Sequence, residues 1–155
     1  MDDKGVTKIK PMSKEDIKTV AELERACFSA PWSEKALLDE LHNPLARFLV
    51  YEINGSIVGY IGAFEICGEC YIANICVLPE FRRRGIANAL LNAAESGARE
   101  RKCELITLEV RVSNKAAIEL YEKNGYNIVG ERRGFYSSPI ENAYIMTKFF
   151  KNNGR

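Results

Sequence analysis

The chain has 155 residues, with 22 Lys and Arg against 21 Asp and Glu for a net charge of +1. Its 46% apolar and 28% charged residues are those of an ordinary globular domain and argue against disordered or collagen-like classes. The near-neutral balance gives no strong field toward nucleic acid or anionic lipid, and no apolar run approaches the ~20 residues of a membrane span.

Residues 1–155 read as one domain, with 152–155 a short tail. Met1 to Lys10 is charged and lacks the apolar stretch of a secretory signal. Val6 to Met12 is β-branched in character and predicts a first strand. Ser13 is placed to cap a helix, with Asp16 at the third helical position, although Asp is not the Glu or Gln of a full capping box. Ile17, Val20, Ala21, Leu23, Glu24 and Phe28 then give an imperfect helical stripe. Ala30-Pro31-Trp32-Ser33 breaks it, and Ser33 caps a short helix that stops before Pro44.

Phe48 to Ile53 and Ile57 to Ile66 predict two strands joined at Asn54-Gly55, a strong hairpin signal. Gly68 marks the next turn. Tyr71 to Leu78 is apolar on both parities, as in a strand covered on both faces. Ile86, Leu90, Ala93, Ala94 and Gly97 space as a helix. Leu105 to Val112 is a fifth strand, Asn114 to Lys123 a helix ended by Gly125, and Tyr126 to Glu131 and Tyr144 to Phe149 two closing strands. The order β-α-α-β-β-β-α-β-α-β-β implies an α/β fold: a mixed sheet of about seven strands flanked by four helices.

Five cysteines, an odd number, read as reduced thiols of a cytoplasmic protein. Cys67-Gly68-Glu69-Cys70 has half the spacing of a zinc site, but with no second pair and a single histidine it reads as a hairpin carrying two thiols, and no metal is expected. That histidine, His42, sits at a helix end, where it complements the dipole rather than serving as a base.

The segment Asn74 to Leu91 is the most informative. A buried strand runs through Pro79-Glu80-Phe81 into Arg82-Arg83-Arg84-Gly85-Ile86-Ala87 and then a helix. The first N–H groups of a helix lack internal partners and carry partial positive charge. Gly85 and Ala87 permit close approach, and three arginines add formal charge. The composite suits an anion, most simply a diphosphate; the competing reading is an exposed basic turn. It is neither a Walker loop nor a Gly-x-Gly-x-x-Gly turn.

Arg82-x-x-Gly85-x-Ala87 after an apolar strand resembles the acyl-CoA pyrophosphate loop of the GNAT N-acetyltransferases, and Val112 to Tyr126, with Asn114, Ala117 and Tyr121, resembles the second half of that signature. Ala30-Pro31-Trp32-Ser33, Asn43-Pro44-Leu45-Ala46-Arg47, Leu108-Glu109-Val110-Arg111 and Arg132-Arg133-Gly134-Phe135-Tyr136 are similar to the RimI-type branch, which acetylates the N-terminal alanine of a small-subunit ribosomal protein. Phe135 departs from the two tyrosines usual there, with the loss of one hydroxyl.

The resemblance implies acetyl-CoA as cosubstrate. Its pantetheine would lie against Ile75, Cys76 and Val77, and its diphosphate against Arg82, Arg83, Arg84, Gly85, Ile86, Ala87 and Asn88, with Asn114 as a cofactor contact or helix cap. Glu109 shares a strand face with Thr107 and Arg111, opposite Ile106, Leu108 and Val110. A carboxylate inside a strand faces a cleft or a partner, and Glu109 is the candidate base; the alternatives are a solvated face or a structural ion pair. Tyr121 is the candidate acid for the leaving thiolate, the alternative being a core tyrosine. Cys76 reads as packing, and transfer as direct attack in a ternary complex.

Trp32 is a candidate for shaping the peptide's approach, with anchoring of two helices as the alternative. Arg132 and Tyr136 are candidates for peptide contact. The implied acceptor is a protein N-terminus, with broader N-termini, lysines or small amines as alternatives. A non-catalytic acyl-CoA-binding domain is the alternative of another class. Neither nucleic acid nor membrane is an expected partner, and the chain is expected to be a monomer or weak dimer.

Overall fold

The structure is a computed structural model and describes residues 5–151, so the tail at 152–155 lies outside the described residues. In chain order it contains β1 (Thr7–Pro11), a 3-10 turn (Lys14–Asp16), α1 (Ile17–Cys27), α2 (Glu34–Leu41), β2 (Ala46–Ile53), β3 (Ser56–Ile66) and β4 (Glu69–Val77). A second 3-10 turn (Pro79–Phe81), α3 (Ile86–Glu100), β5 (Leu105–Arg111), α4 (Lys115–Lys123), β6 (Asn127–Ser137) and β7 (Ile140–Phe149) follow. The order matches that read from the sequence.

Local chemistry explains the boundaries. Asp16 closes the first helix start although it is one carbon shorter than Glu: its Oδ2 accepts from both the N–H and the hydroxyl of Ser13, each at 2.9 Å. Ser33 Oγ accepts from the Ala36 N–H at 3.1 Å and starts α2. Asn54 and Gly55 both take positive φ, at 51° and 82°, which lets a two-residue turn join β2 to β3.

The seven strands form one sheet in the order β1-β2-β3-β4-β5-β7-β6. Among the described residues β4–β5 is the one parallel pair. One core packs α3 and α4 on the sheet through Ile61, Leu90, Leu91, Ile106, Leu108 and Met146. The other packs α1 and α2 through Val20, Leu23, Leu37, Phe48, Val50 and Tyr60. Burying each such side chain contributes ~1.5–3 kcal/mol. β4 contributes to both cores, Ile72 to the first and Cys76 to the second; the two share parity, and a shift of register between them turns Cys76 to the opposite face.

β6 and β7 run longer than their sequence signal. β6 continues past Glu131 to Ser137, and β7 begins at Ile140. β6 is an edge strand exposed along nearly its whole length, so it carries no apolar alternation, and Arg132-Arg133-Gly134 has the composition of a loop.

Candidate active site

The sheet is split beside its parallel pair. β4 and β5 are in register from Glu69↔Leu105 to Ile72↔Leu108, and pairing then stops. A bulge in β4 bends it away: Gly62 of β3 faces Asn74 while Ala63 faces Ile72, which leaves Ala73 as the extra residue. Asn74 to Val77 stay paired with β3 alone, so one backbone edge of Ile75, Cys76 and Val77 faces a gap rather than a strand.

At the end of the gap the chain turns into α3. Arg83 and Gly85 both adopt positive φ, at 64° and 80°. Nothing lies within 4 Å of where a Gly85 Cβ would sit, so the backbone there is open to a ligand. The first helical bond is Ala89 N–H to Gly85 O at 3.0 Å; among the described residues the N–H groups of Arg83 to Asn88 have no acceptor in the protein. Six consecutive free amides at the positive end of a fifteen-residue helix fit a diphosphate.

The arginine side chains behave less uniformly than the sequence suggests. Arg84 stacks on Phe81, 5.0 Å from the ring centroid. Arg82 turns back along the strand, donating from Nε to Val77 O at 3.0 Å and from an NH2 to Cys27 Sγ at 3.6 Å. The Asn88 side chain accepts from Asn124 at 2.8 Å and ties α3 to α4, leaving its main-chain N–H for a ligand. Asn114 caps α4, its Oδ1 accepting from Ala117 N–H at 3.2 Å.

Glu109 follows the last β4–β5 pair along β5, and Tyr121 lies on α4, with Tyr136 close enough to both to act on them electrostatically. Ile106, Leu108 and Val110 are buried, so Thr107, Glu109 and Arg111 project from the opposite face of β5. The Glu109 side chain is only 9% exposed. It accepts from the Tyr71 hydroxyl at 2.5 Å and from Arg132 Nε at 3.0 Å. Burial, and then the Glu109 carboxylate, push the Tyr71 phenol up. Tyr121 is buried, with its ring 5.7 Å from that of Tyr126. Its hydroxyl has no partner among the described residues, yet no buried side-chain polar atom lacks one, so the oxygen reaches accessible space. Burial pushes this phenol up, which keeps it protonated at neutral pH.

Two loops border the Glu109 face. Arg111 donates to Ser138 O and Pro139 O at 3.2 and 3.0 Å, pairs with Glu141, and covers the Tyr136 ring at 4.3 Å. Ser29 Oγ–H donates to Ser138 O at 2.6 Å, joining the loop after α1 to the β6–β7 turn. Trp32 packs against Phe48 at 5.8 Å, and Phe48 lies flat over Gly62, where a Cβ would meet its ring at 2.8 Å. Phe135 stands edge-on to Tyr136 at 5.0 Å. His42 ends α2, Cys67 is exposed in the β3–β4 turn, and Cys70 is buried in β4.

Three groups escape the sequence reading. Glu24 is fully buried and accepts from Trp32 N–H at 2.8 Å, Asn74 Nδ2 at 2.9 Å and the Tyr60 hydroxyl; burial raises its carboxyl. The available signal was a carboxylate on an apolar helical stripe. Tyr71, a polar end on a buried-looking strand, gave a weaker one. Cys27 and Cys76 meet beside Val77, and the Cys76 thiol and Arg82 pull Cys27 down to about 6. They lie 49 positions apart in the chain, and nothing in the sequence joins them.

The model of the acetyltransferase (GNAT) family matches residues 17–126. The chain belongs to the GNAT acetyltransferase family. A Bacillus subtilis (strain 168) protein provisionally named ribosomal protein bS18-alanine N-acetyltransferase is 36% identical over 139 residues, 89% of this chain and 92% of its own length. The crystal structure of the ribosomal-protein-S18-alanine N-acetyltransferase from Escherichia coli superposes with a TM-score of 0.87 at 27% identity, over 97% of this chain and 99% of that one. Ard1 from Thermoplasma volcanium superposes at 0.86 with 30% identity, over 94% and 99%. The seven-stranded sheet and four helices are thus a GNAT fold.

Proposed function

We propose that this GNAT enzyme transfers the acetyl group of acetyl-CoA to the α-amine of a protein N-terminus in the cytoplasm, with the N-terminal alanine of ribosomal protein bS18 as acceptor. The carrying observation is an open seam of the sheet with an enclosed carboxylate, Glu109, just past its last residue pair; Tyr121, whose hydroxyl has no partner among the described residues, supports the reading. Relatives that match along nearly the whole chain and bear that activity in their names support the choice of acceptor.

Ile75 to Val77 offer an edge with no partner strand for the amide-bearing arm of the donor, although Arg82 and Cys27 already occupy Val77 O, and the amides of Arg83 to Asn88 hold its diphosphate. When bound, acetyl-CoA supplies an activated thioester carbonyl. Glu109 accepts the proton that the acceptor amine must lose, directly or through water. An α-amine (pKa about 7.8) costs roughly 3.5 kcal/mol less to neutralise than a lysine (about 10.4), which favours the N-terminal acceptor. Tyr121 donates a hydrogen bond to the departing sulfur. Burial lifts the phenol further above a thiol's ~8.5 than the sequence suggests, so stabilisation of the thiolate outweighs complete proton transfer. Cys76 is sequestered against Cys27, consistent with direct attack rather than an acyl-enzyme. Tyr136, beside Glu109, borders the acceptor's path.

Purified protein supplied with acetyl-CoA and either an Ala-starting bS18 peptide, the same peptide with a blocked N-terminus and an internal lysine, or spermidine separates the acceptors. Release of CoA with the first alone is the expected result. Equal release with spermidine, or with the blocked peptide, removes the N-terminal assignment.

A further inference from the structure

We propose that Arg132 is a placeholder cation: its guanidinium holds Glu109 until the ammonium of the incoming acceptor takes its place. The inference deepens the reading of Glu109 as the acceptor-facing carboxylate and rests on it.

Both oxygens of Glu109 are engaged, Oε1 by Tyr71 and Oε2 by Arg132, so an arriving amine either shares an oxygen with one of them or displaces it. The two partners differ in how readily they leave. Tyr71 is half-buried on β4 and its hydroxyl bond is short. The Arg132 side chain is 54% exposed, against 9% for Glu109, so Arg132 is resolvated as it departs while Glu109 is not.

The contact is also built to be weak. Arg132 uses Nε alone. Arg101 and Glu65, elsewhere in the molecule, form the fork-to-fork alternative, with bonds of 2.6 and 2.7 Å from Nε and NH2 to the two carboxylate oxygens. Two parallel charge-assisted bonds fix geometry in a way that one does not. Arg132 sits, moreover, where β6–β7 pairing is interrupted: Arg132 faces Ala143 and the next pair is Tyr136 with Glu141. Asn142 spans the interruption, accepting from Gly134 N–H at 2.9 Å and donating to Glu131 at 2.8 Å, so side-chain bonds replace the ladder there.

Exchange of one cation for another solves an electrostatic problem. A carboxylate this enclosed is costly when bare. A guanidinium that leaves only as an ammonium arrives keeps it neutralised throughout, and a neutral hydroxyl or amide cannot drive the exchange. Arg132 thereby selects for a charged amine before the proton is removed. The other titratable or charged groups facing Glu109 are Tyr71 and Tyr136, with Arg111 and Glu141 behind Tyr136.

The test is calorimetric binding of a lysine-free Ala-starting peptide to the CoA complex, which cannot turn over. Arg132→Met keeps the stem and removes the charge. It should tighten the peptide ~2- to 5-fold at pH 6, the size of an exposed ion pair. The gain should vanish near pH 9.5, where an α-amine of pKa about 7.8 is neutral, and in the Glu109→Gln background. Weaker binding at both pH values makes Arg132 a direct substrate ligand and overturns the proposal; so does an unchanged affinity at pH 6. Retained turnover by Glu109→Gln sinks the base assignment instead, and is read separately from these affinities.

Discussion

Two enclosed carboxylates, Glu24 and Glu109, each accept from a tyrosine hydroxyl of the central sheet, and they do opposite things. Glu24 meets Tyr60, Asn74 and a main-chain N–H, all neutral, the first buried and the others partly so. Glu109 meets Tyr71 and one half-exposed arginine. Neutral donors fix a carboxylate as a structural knot, here tying α1, β3, β4 and the Trp32 loop. An exchangeable cation leaves a carboxylate available for chemistry. The pair shows that burial and a tyrosine partner do not by themselves mark a working acid or base; the remaining partner and its exposure decide. Glu95 also joins a tyrosine, Tyr126, to a cation, but its Lys148 is 22% exposed against 54% for Arg132.

Substituting each carboxylate should separate the two roles. Glu109→Gln should reduce turnover with an Ala-starting peptide ~10²- to 10⁴-fold at pH 7, with a thermal midpoint close to that of the parent. The loss should shrink above pH ~8, where the amine is already neutral. A uniform loss at all pH values would assign Glu109 to positioning. Glu24→Ala should do the reverse. It strands three donors in the interior and should cost about 3 kcal/mol in denaturant unfolding, while any folded fraction keeps its affinity for CoA.

The Glu24 knot also responds to pH. Burial raises the Glu24 carboxyl above its unfolded value. Its stabilisation is complete below the unfolded pKa of about 4.3 and is lost as pH rises through the higher folded value. Glu24→Gln should therefore gain stability relative to the parent between pH 4 and pH 8, as read from paired melts; a constant difference would show that Glu24 does not titrate in that window.

Smaller effects sharpen the contrast further. Tyr121→Phe should cut turnover ~10²-fold by removing one donor from the developing thiolate, with CoA affinity unchanged in calorimetry. Gly85→Ala forces an L residue to φ near 80° with no neighbour to clash, so stability should fall only ~1–2 kcal/mol. Affinity for CoA should fall further than stability, because the added methyl projects into the open space beside the free amides. Equal losses in both would place the diphosphate elsewhere.

Elements whose causes are local were legible in the sequence. Ser33, Asn54-Gly55 and the strand-to-Gly85-to-helix run each act within about five residues, and each is found where expected. The face of Glu109 followed from period-2 alternation in β5. What escaped is long-range. Glu24 and Asn74 are 50 positions apart, Tyr71 and Glu109 38, and Arg132 and Glu109 23. The turned-back guanidinium of Arg82 depends on where Cys27 ends α1. The true extent of β6 was hidden because an exposed edge strand has no inward face to write a pattern.

The seam between β4 and β5 is stitched by four residue pairs, while each flanking half of the sheet is knitted by longer antiparallel ladders. Two well-knitted panels joined by so short a hem should breathe along it. Deuterium uptake at Asn74 to Val77 should be rapid in the unliganded protein and slow sharply once a donor lies along that margin, so the seam reports occupancy without any turnover.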